Sequence, residues 1–241
     1  MSTITEVDIL PFTFEVNDLS LAVDKATGAS TMVFARGETR RVMRYGVAIR
    51  TDDGLEGRYV THWVGTPSAL GQTLMLAPRL LGRTPEHRES IYDDLKREAR
   101  AYDHMGHGPL DIALWDLVGR KYGASIASLL GAYRERLPAY ASTHHGQDIP
   151  GGLDSVEAFA DFAVACREQG VPGFKIHGWH DGDRRREARV IGAVCQAVGA
   201  DMELMADPSC KLRTYADALY VGRACDENRC LWYEDPYRDC G

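Results

Sequence analysis

A chain of 241 residues, 44% hydrophobic and 26% charged, has an ordinary globular composition with material for a sizeable core and one or two domains. A formal charge of -7 and a pI near 5.6 argue against a nucleic-acid binder, which needs a basic face to neutralise phosphates. No run approaches the roughly 20 apolar residues of a membrane span, no apolar signal segment follows Met1, and six cysteines lie scattered without a CxxC pair, so reduced thiols in a cytoplasm are expected.

Ile4 to Phe14 alternates loosely as a strand and Arg40 to Arg50 does so again, running into Thr51-Asp52-Asp53-Gly54, where Asp-Gly is a tight-turn signal. A small antiparallel sheet is expected to open the protein. Between those strands Asn17 to Gly37, with Asp18, Asp24, Lys25, Gly28 and Gly37, lacks a sustained period and reads as a loop. Pro67 to Leu81 and Glu86 to Tyr102 carry helical spacing of apolar residues and should cover the sheet. At His107-Gly108-Pro109-Leu110-Asp111 a proline sits just inside a helix start with an acid in the first turn; Leu110, Ala113, Leu114, Leu117 and Val118 form its apolar stripe, and Gly123 closes it. A short helical turn follows over Ser125 to Leu130, and Leu137-Pro138 links to a new region.

From there the chain reads as repeated βα units. Ala139 to Ser142 is a strand whose polar end is Thr143-His144-His145. Three further apolar runs end in chemically capable side chains: Gly173-Phe-Lys175-Ile-His177-Gly-Trp179, Met202 to Asp207-Pro-Ser209, and Cys230-Leu-Trp-Tyr-Glu234-Asp-Pro236. Asp207 lies 32 positions after Lys175 and Glu234 another 27 on, close to one strand, one crossover helix and their connections. Helix-like stretches over 183–198 and 215–226 fill the gaps. Neighbouring parallel strands with their polar ends on one rim are therefore expected, and in a (β/α)₈ barrel that rim holds the catalytic groups. Lys175 and His177, two apart on one strand, share a face, and with Phe174 and Ile176 packed outside that face is the interior.

The order of an α+β region, a Gly-Pro-Leu-Asp-Ile-Ala-Leu-Trp-Asp-Leu helix, a Leu-Pro-Ala-Tyr strand, the Phe-Lys175-Ile-His177 strand, the Asp207 strand and the Glu234-Asp-Pro strand resembles the enolase superfamily, in its mandelate racemase and muconate lactonizing branch. The resemblance implies an α/β plus α+β architecture: an enolase-like capping domain over residues 1–136, then the first half, about four βα units, of a TIM-type (β/α) barrel over 137–241. It also implies bound Mg²⁺ and removal of the proton next to a substrate carboxylate to give a metal-stabilised enediolate. Asp207 and Glu234 match the family's first two metal-ligand positions, with hard oxygen donors of the kind Mg²⁺ requires; salt-bridged rim carboxylates are the alternative. Ser209 stands where the family often has Asn.

Lys175 matches the family's acid-base strand, and a base there is expected to have its pKa depressed by burial and neighbouring cations. The family's usual pattern on this strand is Lys-x-Lys; here the second position is His177, which transfers protons near neutral pH and suits a general acid toward a leaving hydroxyl. That favours a lyase, dehydrating a sugar acid to a 2-keto-3-deoxy acid. Racemisation, epimerisation or cycloisomerisation of a related carboxylate is the alternative within the same chemistry. A non-catalytic fragment is the alternative outside it. His144, Trp179 and Ser209 are the candidate substrate contacts, for a small carboxylate or sugar acid, and assembly as a homo-oligomer is expected. A TIM barrel needs eight βα units in about 250 residues, yet about 100 follow Pro138. The natural enzyme is therefore expected to continue past Gly241, and this chain alone to bind Mg²⁺ weakly and turn over nothing.

Overall fold

The computed structural model describes residues 2–23, 30–62, 66–102 and 104–238. Two compact units emerge, one built from residues 1–15 and 41–135 and the other from 16–40 and 136–241.

The first unit contains most of a three-stranded sheet ordered β1 (Ile4–Val23), β2 (Ser30–Thr51), β3 (Glu56–Val60). β2 and β3 pair antiparallel from Gly46 opposite Val60 to Arg50 opposite Glu56, closed by the turn in which Gly54 takes a φ of 83°. Helices α1 (Thr66–Leu76), α2 (Arg88–Glu98), α3 (Gly108–Tyr122) and α4 (Ile126–Leu129) follow. The stripe expected on α3 is buried at Leu110, Ala113, Leu114 and Leu117, packed with Tyr45, Ile49, Leu76 and Ile91. Pro109 at its start and left-handed Gly123 at its end terminate it as the sequence indicates.

One expectation fails. Asn17 to Gly37 is not a loop: β1 runs to Val23 and β2 begins at Ser30, while Asp24, Lys25 and Gly28 lie outside the described residues. Asp18 and Gly37 are the reason alternation breaks down. Both take positive φ, 57° and 80°, and the Gly37 N–H donates to Asp18 Oδ1 at 2.7 Å. Two residues that ordinarily signal a turn here accommodate a local kink within paired strands.

In the second unit β4 (Ala141–Ser142), β5 (Gly173–His177) and β6 (Glu203–Asp207) form a parallel sheet in that order. Residues 231–234 lie beside β6, with Leu231 N–H donating to Leu204 O, Ala206 N–H to Trp232 O and Glu234 N–H to Ala206 O. Helices α5 (Val156–Glu168), α6 (Arg184–Val198) and α7 (Tyr215–Glu227) connect them. Each starts at a side-chain cap: Ser155, Asp183 and Thr214 accept from backbone N–H groups two or three residues on, so every strand end is followed by a defined helix start. The core gathers Phe159 and Ala163 of α5, Phe174 and Ile176 of β5, Val190 and Val194 of α6, and Val221 of α7. Sequence reading did not single out α5, although the spacing of Phe159, Ala163 and Cys166 behind a Ser155 cap carries its signal.

Candidate active site

The parallel register between β5 and β6 places His177 opposite Asp207 and Lys175 opposite Met205. Because side chains alternate, Lys175 and His177 project from one face while Phe174 and Ile176 enter the core on the other. Both polar side chains reach Asp207. Lys175 Nζ donates to Asp207 Oδ2 at 2.9 Å and to Glu234 Oε2 at 3.0 Å, and His177 Nε2 stands 3.0 Å from Asp207 Oδ2. Asp207 Oδ1 accepts from the Ser209 N–H at 2.9 Å. Trp232 Nε1–H donates to Glu234 Oε2 at 3.1 Å. The carboxylates expected as metal ligands therefore converge on one point, held there by a lysine ammonium.

Electrostatics follow from this packing. Burial by itself would raise the Asp207 pKa, but the hydrogen bonds and charges of His177 and Lys175 outweigh it and hold the carboxyl at about 2. For Lys175 the expected depression does not occur. Burial lowers its pKa, yet the hydrogen bonds and charges of Asp207 and Glu234 reverse that and raise it above the ordinary lysine value. Lys175 is an ammonium ion in this arrangement. His177 Nδ1 stands 2.6 Å from the Thr143 carbonyl and 3.2 Å from Ser142 Oγ, so both ring nitrogens lie within hydrogen-bond distance of an oxygen.

Fit to Mg²⁺ rests on this donor set. Asp207 and Glu234 supply hard oxygen ligands directed at a shared cationic position, and Mg²⁺ keeps several waters and takes few protein ligands. Among the described residues no cluster of three or more His, Cys, Asp or Glu side chains forms a complete cage. The residues present fit the ion as a partial ligand set.

Ser209 is half-buried and left-handed, with φ 53°, and Cys210 beside it has φ 59°. That turn is what aims the Ser209 N–H at Asp207; the backbone, not the hydroxyl, makes the contact. His144 is exposed at the end of β4 and lines a cavity with His145, His177, Ser209 and Lys211. Trp179 is different. By sequence it counts among the rim residues that suit a hydroxylated substrate, but β5 ends at His177, and the next residue, Gly178, donates its N–H to Asp207 O. The indole enters the core, 2% exposed, with its ring centroid 5.8 Å from that of Phe159 and the Arg186 guanidinium 4.4 Å from its own. Trp179 is a packing residue, so that contact is corrected.

Two buried titratable groups lie close by: His145, which the sequence places at the polar end of a strand, and Glu187, which sequence reasoning missed. His145 Nδ1 lies 2.8 Å from Gly178 O and its ring 5.3 Å from that of His177; burial pushes its pKa down to about 4, so it is neutral, with Nδ1–H donating to the carbonyl and Nε2 left as the acceptor. Glu187, in the first turn of α6, is buried against Gly178 and accepts from the Trp179 N–H. Burial pushes its carboxyl up to about 8. The adjacency of His144 and His145 was visible in the sequence; nothing local marks Glu187, since acids in a first helical turn are ordinarily solvated.

Comparison with known proteins supplies context. Residues 21–131 match the mandelate racemase / muconate lactonizing enzyme N-terminal domain, and residues 158–240 match the enolase C-terminal domain-like family. L-talarate/galactarate dehydratase of Salmonella typhimurium is 28% identical over 195 residues, covering 78% of this chain and 47% of that enzyme. D-galactarolactone cycloisomerase of Agrobacterium fabrum is 33% identical over 164 residues, covering 65% of this chain and 42% of that enzyme. The crystal structure of D-glucarate dehydratase from Agrobacterium tumefaciens complexed with magnesium superposes with a TM-score of 0.78 at 27% identity, over 98% of this chain and 61% of that one. The chain spans about half the length of the curated relatives it matches.

Proposed function

The chain belongs to the mandelate racemase and muconate lactonizing branch of the enolase superfamily, and on that premise we propose that it supplies the Lys175, His177, Asp207 and Glu234 half of a site that dehydrates a sugar acid. The observation that carries this reading is the convergence of the Asp207 and Glu234 carboxylates on Lys175 Nζ, with His177 attached to the same Asp207 oxygen.

A proton next to a carboxylate is only weakly acidic, because its removal puts a second negative charge on the substrate. When bound by Asp207 and Glu234, a divalent cation supplies positive charge against that development. With those carboxylates engaged by a cation, Lys175 would lose the partners that hold its proton and would stand beside positive charge, the setting that lowers a lysine toward the range of a base. As its proton acceptor role begins, the C–H electron pair moves into the carboxylate to form an enediolate. Collapse of that pair expels the β-hydroxyl. His177, whose ring carries a proton on the nitrogen facing Asp207, gives a proton to the departing oxygen, and water leaves. The enol that remains ketonises to a 2-keto-3-deoxy acid. Atoms balance without an oxidant or reductant.

The test is a library of sugar acids offered to the complete enzyme with and without Mg²⁺, read as 2-keto acid formed. Metal-dependent keto acid, lost in Lys175→Ala and His177→Ala, is the expected result. Isomerised or ring-opened acid without keto product would replace dehydration by isomerisation, the reading favoured by the likeness to the cycloisomerase. No conversion of any acid would leave a binding remnant.

A further inference from the structure

Beside the Asp207 site lies a cavity of about 330 Å³, lined by Thr31, His144, His145, His177, Ser209 and Lys211 among others. Its volume falls in the range of small-ligand sites. It opens one imidazole ring away from the reacting groups, because His177 both contacts Asp207 and forms part of its wall. Hydroxyl groups and imidazoles dominate the lining, and among the described residues no carboxylate belongs to it. Such a wall suits a polyhydroxylated molecule.

Lys211 is the full positive charge in that wall. Its Nζ donates to Thr31 Oγ1 at 2.6 Å, and among the described residues it makes no ion pair with a carboxylate. Its backbone is fixed: Lys211 N–H donates to Pro208 O, the neighbouring Cys210 N–H to Asp235 O, and Leu212 is buried. The charge is felt across the cavity, where it adds to the burial that keeps His145 neutral. An unpaired ammonium on a rigid turn, held by one neutral hydroxyl, has donors left for an anion.

We infer that Lys211 is a specificity determinant that receives a second anionic group of the substrate, at the end remote from the reacting carboxylate, so that the preferred substrate is a doubly charged sugar acid. This rests on the reading that a sugar carboxylate reacts beside Asp207 and Glu234. A carboxylate and a phosphate present the same chemistry to Lys211, and an acid lacking either leaves its charge without a partner.

The experiment compares three six-carbon substrates with the complete Mg²⁺-loaded enzyme: a dicarboxylate, the corresponding monocarboxylate, and that monocarboxylate phosphorylated at its far end. Lys211→Met keeps the aliphatic stem and removes the charge. Wild type is expected to prefer one dianion at least tenfold in kcat/KM. In Lys211→Met that preference should fall at least tenfold, mainly through KM, with partial recovery in Lys211→Arg. Whichever dianion carries the preference identifies the second group. Calorimetric titration of the same acids onto wild type and Lys211→Met, with thermal melts to verify folding, gives a readout independent of turnover. A wild type that favours the monocarboxylate, or an equal loss for all three acids, overturns the assignment while leaving dehydration intact. Absence of turnover and of binding in wild type overturns the functional reading itself.

Discussion

His177 and Asp207 occupy opposed positions on adjacent parallel strands, and the imidazole Nε2 stands 3.0 Å from the same carboxylate oxygen that Lys175 holds at 2.9 Å. One oxygen thus ties together the lysine and the histidine of the site, and changes at Asp207 should appear in both the chemistry and the acid stability of the fold.

Asp207→Asn tests that coupling. The folded carboxyl titrates at about 2 and the unfolded one near the ordinary aspartate value of 3.8, so its contribution is present above pH 4 and fades as pH falls toward 2. The variant should lose on the order of 2 kcal/mol at neutral pH, and the gap from wild type should close in acid. Urea unfolding at pH 7, 4 and 2.5 measures it; a gap that does not depend on pH would show that Asp207 contributes no linked charge.

His145 and Glu187 give slopes of opposite sign. The folded His145 refuses a proton down to about pH 4 whereas an unfolded histidine accepts one near 6.5, so this group makes the fold less stable as pH falls through that window. Glu187 keeps its proton up to about pH 8 in the fold and loses it near 4.5 when unfolded, so it makes the fold less stable as pH rises from 4.5 to 8. Glu187→Gln, a neutral mimic, should gain stability relative to wild type with rising pH, by roughly a few kcal/mol at pH 8. His145→Gln should flatten the loss between pH 6.5 and 4. Thermal melts across pH 4 to 9 decide both, and parallel profiles for wild type and variants would count against the assigned protonation states.

Gly146→Ala should destabilise the second unit. A Cβ at that position would lie 2.6 Å from a Trp179 ring carbon and 2.7 Å from a Phe159 ring carbon, and both rings are buried. Overpacking of this kind costs roughly 1–3 kcal/mol. Denaturant titration followed by tryptophan emission is the measurement; an unchanged midpoint would mean that the rings move aside freely.

Trp179 separates packing from chemistry. Trp179→Ala should cost about 3–5 kcal/mol, the usual range for a deleted core aromatic, while Trp179→Phe should retain turnover per folded molecule. A selective rise in KM in a well-folded Trp179→Phe enzyme would return this residue to the substrate face.

Local pattern alone carried much of this protein. The βα spacing of Lys175, Asp207 and Glu234, the shared face of Lys175 and His177, the proline and glycine that bound α3, and the turn at Gly54 all follow from periodicities of a few residues and from the φ preferences of single residue types. What such patterns do not contain is the environment of a side chain. Lys175 is an ammonium because carboxylates 32 and 59 positions away close on it, against the depression that burial by itself would cause. Trp179 lies in the core because its indole packs beside Phe159 with the Arg186 guanidinium over its ring, contacts that its position two residues past His177 does not reveal. Asp18 and Gly37 look like loop formers one at a time, and become a kink between paired strands only when the glycine amide meets the aspartate. Charge state, tautomer and the inward or outward sense of a residue past a strand end depend on distances through space, and tertiary structure decided them.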